Sequence, residues 1–177
     1  MIEQLIGSGF SPEVIIFFAS ALPIAESRVA LPLAINLFGI SWYRALFPAI
    51  IGNLLPVPPL LLFFASLGRL LDHWELSRRV SDRVFESIRK RAALVEKYGT
   101  IGLVLFVAVP FPGTGAWTGA MVASLMGLGF RRAMLAITSG VIISAAVVTA
   151  LSLIGWPGAV IAGVVLFGLA VLQFRGR

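Results

Sequence analysis

Residues 23–32 read PIAESRVALP and residues 110–119 read PFPGTGAWTG. Each stretch interrupts a long apolar run with residues that end helices. Proline removes a backbone donor and clashes with the preceding turn, and glycine loosens the chain. The surrounding apolar runs cover residues 5–25, 29–68, 100–130 and 133–174. A bilayer span needs roughly 20 mostly apolar residues. Soluble domains have about 45–50% apolar and about 25% charged residues, whereas this chain has 59% hydrophobic and 12% charged. It therefore reads as an all-α integral membrane protein, multi-pass, in a single membrane domain over residues 1–177.

Working outward from the first break, residues 12–22 are apolar but too few to cross before Pro23. Apolar sequence resumes after Pro32 and runs to Phe38. Gly39 and Ser41 make a turn, and Trp42, Tyr43 and Arg44 form an interfacial anchor. The run from there to Leu71 spans, with a bend at Pro56, Pro58 and Pro59. Residues 72–98 change character: Leu76, Val80, Val84 and Ile88 recur every four residues among Arg and Glu, which predicts an interfacial amphipathic helix. Residues 100–109 are again too short to cross before the second break. A full span follows at 133–154, and a C-terminal transmembrane helix at 157–174.

The basic residues decide how the broken segments are arranged. If each is a re-entrant hairpin, Arg69, Arg78, Arg79, Arg83, Arg89, Lys90, Arg91, Lys97, Arg131, Arg132, Arg175 and Arg177 share one face, which is 12 of the 14 basic residues. That face is cytoplasmic by the positive-inside rule, and it places the N-terminus outside and the C-terminus inside. Two hairpins separated by one full span enter from opposite faces, as in an inverted repeat. A shift of 88 residues pairs Phe18 with Phe106, Gly39 with Gly127, Arg44 with Arg132, Ala45 with Ala133 and Gly52 with Gly140. Repeat one is then about 11–71 and repeat two about 99–154. With 14 Lys and Arg against 8 Asp and Glu, the surplus charge belongs to membrane flanks and calls for no nucleic acid. The chain has no cysteine, and its N-terminal stretch lacks the basic start and cleavage site of a signal peptide.

Non-helical backbone must not face lipid, so both breaks are expected to meet protein or line a cavity. Two half-helix N-termini and Arg28 would favour an anionic group there. Glu26 is a carboxylate at depth and the candidate proton-coupling residue. Glu26 and Arg28 locking one another is the purely structural alternative. The second tip offers Pro110, Pro112, Gly113, Thr114, Gly115, Trp117 and Thr118, with tight helix packing as its structural alternative. Pro32 and Asn53 complete the candidate substrate-binding set, although a lone amide in a span also serves to bond a neighbouring helix. No metal or cofactor is expected.

Glu26-Ser-Arg28 with Ala30-Leu-Pro32, then Gly52-Asn-Leu-Leu-Pro-Val-Pro58, then the run Phe106 to Gly119 resembles the small multidrug export protein family, which is distantly similar to the DedA and VTT-domain membrane proteins. The resemblance implies a transporter of two inverted re-entrant hairpins in a prokaryotic cell membrane. DedA-like relatives imply movement of lipid carriers such as undecaprenyl phosphate, and VTT relatives lipid scrambling. This sequence departs from the DedA pattern in having no arginine between Lys97 and Arg131.

The leading expectation is a transporter, flippase-like or scramblase-like, for an anionic amphiphile such as a lipid phosphate. A proton-coupled exporter of small cationic drugs and a non-transporting membrane scaffold are the competing readings; an enzyme is not expected. The expected partners are membrane lipids and the transported molecule, with a homo-oligomer left open.

Overall fold

Short helices flank both breaks because the prolines and glycines leave only about ten apolar residues on each side. The computed structural model describes residues 11–23, 26–71, 93–110 and 113–155. Its described regular structure is wholly helical: α1 (Pro12–Ala21), α2 (Glu26–Pro32) continued by a π turn (Leu33–Leu37), α3 (Trp42–Leu54), α4 (Val57–Leu71), α5 (Ala93–Ala108), α6 (Ala116–Leu125) and α7 (Phe130–Leu153). Residues 72–92 of the expected amphipathic helix (72–98) and the expected C-terminal span (157–174) lie outside the described residues. So do Phe111 and Pro112 in the second break.

Ten-residue helices such as α1 and α6 rise roughly 15 Å, against a hydrocarbon core of about 30 Å. Two stretches are long enough and apolar enough to cross: Trp42–Ser66 and Phe130–Leu153. The first contains the α3–α4 junction at Leu55 and Pro56. Pro58 and Pro59 fall in the first turn of α4, where a missing N–H costs nothing, and the Pro56 carbonyl accepts the Leu60 N–H at 3.0 Å. Large apolar side chains on both stretches stay exposed, among them Phe47, Leu62, Phe63, Leu135 and Ile142. Such a surface is at home in lipid and a liability in water.

The described chain divides into two compact units. The first takes in Met1–Asn53, Pro110–Pro112 and Ile143–Arg177; the second takes in Leu54–Val109 and Gly113–Ile142. Each unit thus holds the first part of one long helical stretch and the second part of the other; the first break lies wholly in the first unit, while the second divides between Pro112 and Gly113.

In the first unit α1 packs on α2. Ile16, Ala30, Leu31, Ala34, Ala45, Ala49, Ala145 and Val148 form its apolar core. Gly52 brings α3 against the backbone of α1: a Cβ there would lie 2.1 Å from the Phe17 carbonyl oxygen. In the second unit α6 packs on α4 and α5. Gly140 plays the corresponding part, since a Cβ there would meet Val107 Cβ at 2.6 Å and the Val104 carbonyl oxygen at 2.9 Å.

Candidate functional site

Apolar packing explains most of this interior, so the polar exceptions are the candidates for chemistry. Among the described residues the buried polar side chains are Ser20, Glu26, Ser27, Asn53, Ser144, Thr149 and Ser152. All seven belong to the first unit. The buried side chains of the second unit, from Val57 and Leu61 to Ile137 and Val141, are apolar.

The site grows from the start of α2. Glu26 has φ +45°, and it is the one non-glycine residue with positive φ among those described. That conformation costs an L residue roughly 1–2 kcal/mol, so the surroundings hold it there. Its N–H donates to the Leu22 carbonyl at 3.0 Å, and its side chain is only 7% exposed although it is a carboxylate.

Ser27, fully buried, follows on the same turn. Asn53 Nδ2 donates to Ser27 Oγ at 3.1 Å, tying α3 to α2. Asn53 Oδ1 is buried and has no hydrogen-bond partner among the described residues. Arg28 comes next and is half-buried. Its Nε donates to Ser144 Oγ at 3.4 Å, across 116 residues of sequence, which anchors the guanidinium to α7. The Glu26 charge acts on that guanidinium.

Pro32 closes α2. It has no N–H to offer the Arg28 carbonyl one turn back, and the helix continues in a wider π turn in which the Phe38 N–H donates to the Leu33 carbonyl at 3.1 Å. Helical turns of this width are rare and concentrate at functional sites.

The second tip is built differently. Thr114 Oγ1 donates to the Val109 carbonyl at 2.8 Å. Thr118 Oγ1 accepts the Gly115 N–H at 2.9 Å, capping α6. Both hydroxyls therefore close their own backbone turn. Gly113 is exposed with φ +84°, Gly115 is buried, and Trp117 is half-buried. Of the sequence-predicted residues, Glu26, Arg28, Pro32, Asn53 and Pro110 fall in the first unit, and Gly113, Thr114, Gly115, Trp117 and Thr118 in the second. Pro112 lies outside the described residues.

Sequence reasoning missed Ser20, Ser27, Ser144, Thr149 and Ser152. A signal was present for three of them. Ser144, Thr149 and Ser152 share the helical face that also carries Gly140, Val141 and Val148, and every one of these is buried. The 88-residue shift adds a contrast. It pairs Ser20 with Ala108, Ser27 with Gly115, Asn53 with Val141 and Thr149 with Leu61, and all eight are buried.

Against known sequences, residues 26–147 match the family described as "Putative small multi-drug export protein". The chain belongs to that family. The matched region begins at Glu26 and takes in Arg28, Asn53, the second break and Ser144. The family description is one of export, and together with the two long apolar stretches it fits a membrane protein. No curated protein and no solved structure shows significant similarity to the chain.

Proposed function

We propose that this export-family member moves an anionic amphiphile, such as a lipid phosphate, with Arg28 as the head-group contact and Glu26 as the proton-coupling group. One observation carries the reading: a buried carboxylate and a half-buried guanidinium, two residues apart, form the charged centre of the only polar interior among the described residues. Ionisable groups at membrane depth are costly and mark transport paths and proton relays. Anchoring Nε on Ser144 orients the planar guanidinium, and such a fork suits phosphate or carboxylate. Protonating Glu26 removes the negative charge beside Arg28 and favours an anion there. Losing the proton restores the internal compensation and expels the anion. The tail of an amphiphile can remain in lipid, so a small protein need not enclose it.

The reading includes two re-entrant hairpins in an inverted repeat, and several features support it. The Glu13–Arg44 ion pair joins the start of α1 to the start of α3, so the chain between them leaves and returns at one level. Gly39 and Gly127, 88 residues apart, turn the chain with φ +62° and +66°. At the next positions with the same spacing, the Ala45 N–H donates to the Ser41 carbonyl at 3.1 Å and the Ala133 N–H to the Gly129 carbonyl at 3.0 Å.

The test is flux of a short-chain lipid phosphate in proteoliposomes. Arg28→Ala is expected to stop it while the variant still elutes as a folded monodisperse species; undiminished flux would sink the proposal. A second reading, proton-coupled export of small cationic drugs with Glu26 as the cation site, draws on the family description. Flux of an alkylammonium analogue that depends on Glu26 and survives Arg28→Ala would replace the first reading with the second.

A further inference from the structure

The polar interior does not stop at Glu26 and Arg28. On α7, Ser144, Val148, Thr149 and Ser152 form one buried face. From the Arg28 anchor at Ser144 to Ser152 the helix rises roughly 12 Å. Ser152 is the penultimate residue of α7, which ends at Leu153, and Gly155 then turns the chain with φ +76°. The hydroxyls therefore reach from the charged centre to the end of the helix. The next turns on the lipid-facing side carry Val147, Ala150 and Leu153, all exposed and apolar.

Packing does not explain these hydroxyls. Thr149 is 5% exposed, and its Oγ1 has no hydrogen-bond partner among the described residues. Ser20 Oγ and Asn53 Oδ1 in the same unit share that condition. A buried polar atom left unsatisfied costs about 1–3 kcal/mol, and internal water is the usual remedy for such atoms. Ser152 Oγ gives its proton to the Val148 carbonyl at 2.7 Å, which leaves its oxygen lone pairs to accept from water.

We infer that Thr149 and Ser152 line a hydrated, proton-conducting path that connects Glu26 to one face of the membrane. The inference rests on the proposed role of Glu26. The face it selects is the one opposite Arg131 and Arg132, which sit at the other end of α7; by the charge argument that is the outer face. Glu13 and Arg44, the other charged residues among the described part of this unit, bond to one another. A side chain on this path needs a hydroxyl rather than a charge, since its task is to hold water in line.

The absence of cysteine from the chain makes the test direct. Single cysteines are placed at Ser152, Thr149, Val147 and Ala150, and each folded variant is reconstituted in vesicles. External silver ion, which is close to water in size and attacks thiolates reached through water, is added before a fluorescent maleimide in detergent. Thr149→Cys and Ser152→Cys are expected to lose maleimide labelling, whereas Val147→Cys and Ala150→Cys keep it. Full labelling at Thr149→Cys, or equal loss at all four positions, overturns the path. In the same vesicles, proton uptake with flux should fall in Thr149→Val and recover in Thr149→Ser. If the silver pattern appears but Glu26→Gln transports with unchanged pH dependence, the path exists and the assignment of Glu26 fails; the reverse pattern rejects the path alone.

Discussion

Glu13, in the first turn of α1, and Arg44, in the first turn of α3, form an ion pair that bridges thirty-one residues of sequence. Arg44 is exposed and Glu13 partly so, and a pair so placed contributes little to stability. It joins the two helices that carry the buried Ser20 and Asn53 at their far ends. Glu13→Ala and Arg44→Ala should each melt only slightly below the parent, and the difference should vanish at about 1 M salt, where charges are screened within a few ångströms. The double exchange Glu13→Arg with Arg44→Glu should restore the parent melting temperature; failure of the exchange would show that the pair is incidental.

Asn53 and Ser27 should be coupled in a double-mutant cycle. Ser27→Ala deprives the buried Asn53 amide of the Ser27 Oγ acceptor and is expected to cost about 1–3 kcal/mol. Asn53→Val with Ser27→Ala removes both partners and should recover part of that loss, read by thermal unfolding in detergent. Strictly additive effects would contradict the 3.1 Å bond.

Glu26 allows backbone strain to be separated from charge. Asn and Gly tolerate positive φ where Gln does not. Glu26→Gly and Glu26→Asn should therefore be more stable than Glu26→Gln by roughly 1 kcal/mol. All three should lose pH-dependent flux, because none carries a titratable carboxyl. Equal melting temperatures for Gln and Gly would argue that the left-handed conformation at this position is not held by the fold.

Glycine substitutions should rank by what a new methyl meets. Gly52→Ala drives Cβ to 2.1 Å from a backbone oxygen, Gly140→Ala to 2.6 Å from a valine Cβ, and Gly119→Ala to 2.6 Å from the terminal methyl Val107 Cγ2. Overpacking costs typically about 1–3 kcal/mol, and Gly52→Ala should exceed the others because backbone cannot swing aside. Gly129→Ala, with nothing within 4 Å, is the control. Thermal stability of the four single variants decides the order.

The helix breaks were legible because proline and glycine act locally: Pro23, and Pro110 with Gly113, mark where they fall. Both are shorter than 23–32 and 110–119, since helix resumes at Glu26, passes through Pro32, and resumes again at Ala116. The π turn after Pro32 was not legible, since a wide turn reflects how the chain relieves a missing donor rather than any residue preference. Glu26 and Arg28 stood out as charges in apolar sequence. Their partners did not, because Ser144 is one hydroxyl among many and gains meaning only when α7 is folded beside α2. Thr114 and Thr118 were legible as hydroxyls at a glycine-rich tip. Their occupation by the backbone of Val109 and Gly115 was a matter of local geometry that composition does not reveal.

The unequal interiors have a practical consequence for anyone seeking an inert form of this protein. The apolar unit supplies, 88 residues away in sequence, a buried apolar side chain for three of the polar positions: alanine at 108 for serine at 20, valine at 141 for asparagine at 53, leucine at 61 for threonine at 149. A chain rewritten at those three places would be its own negative control, inserted and assembled like the parent but with its interior made waterproof.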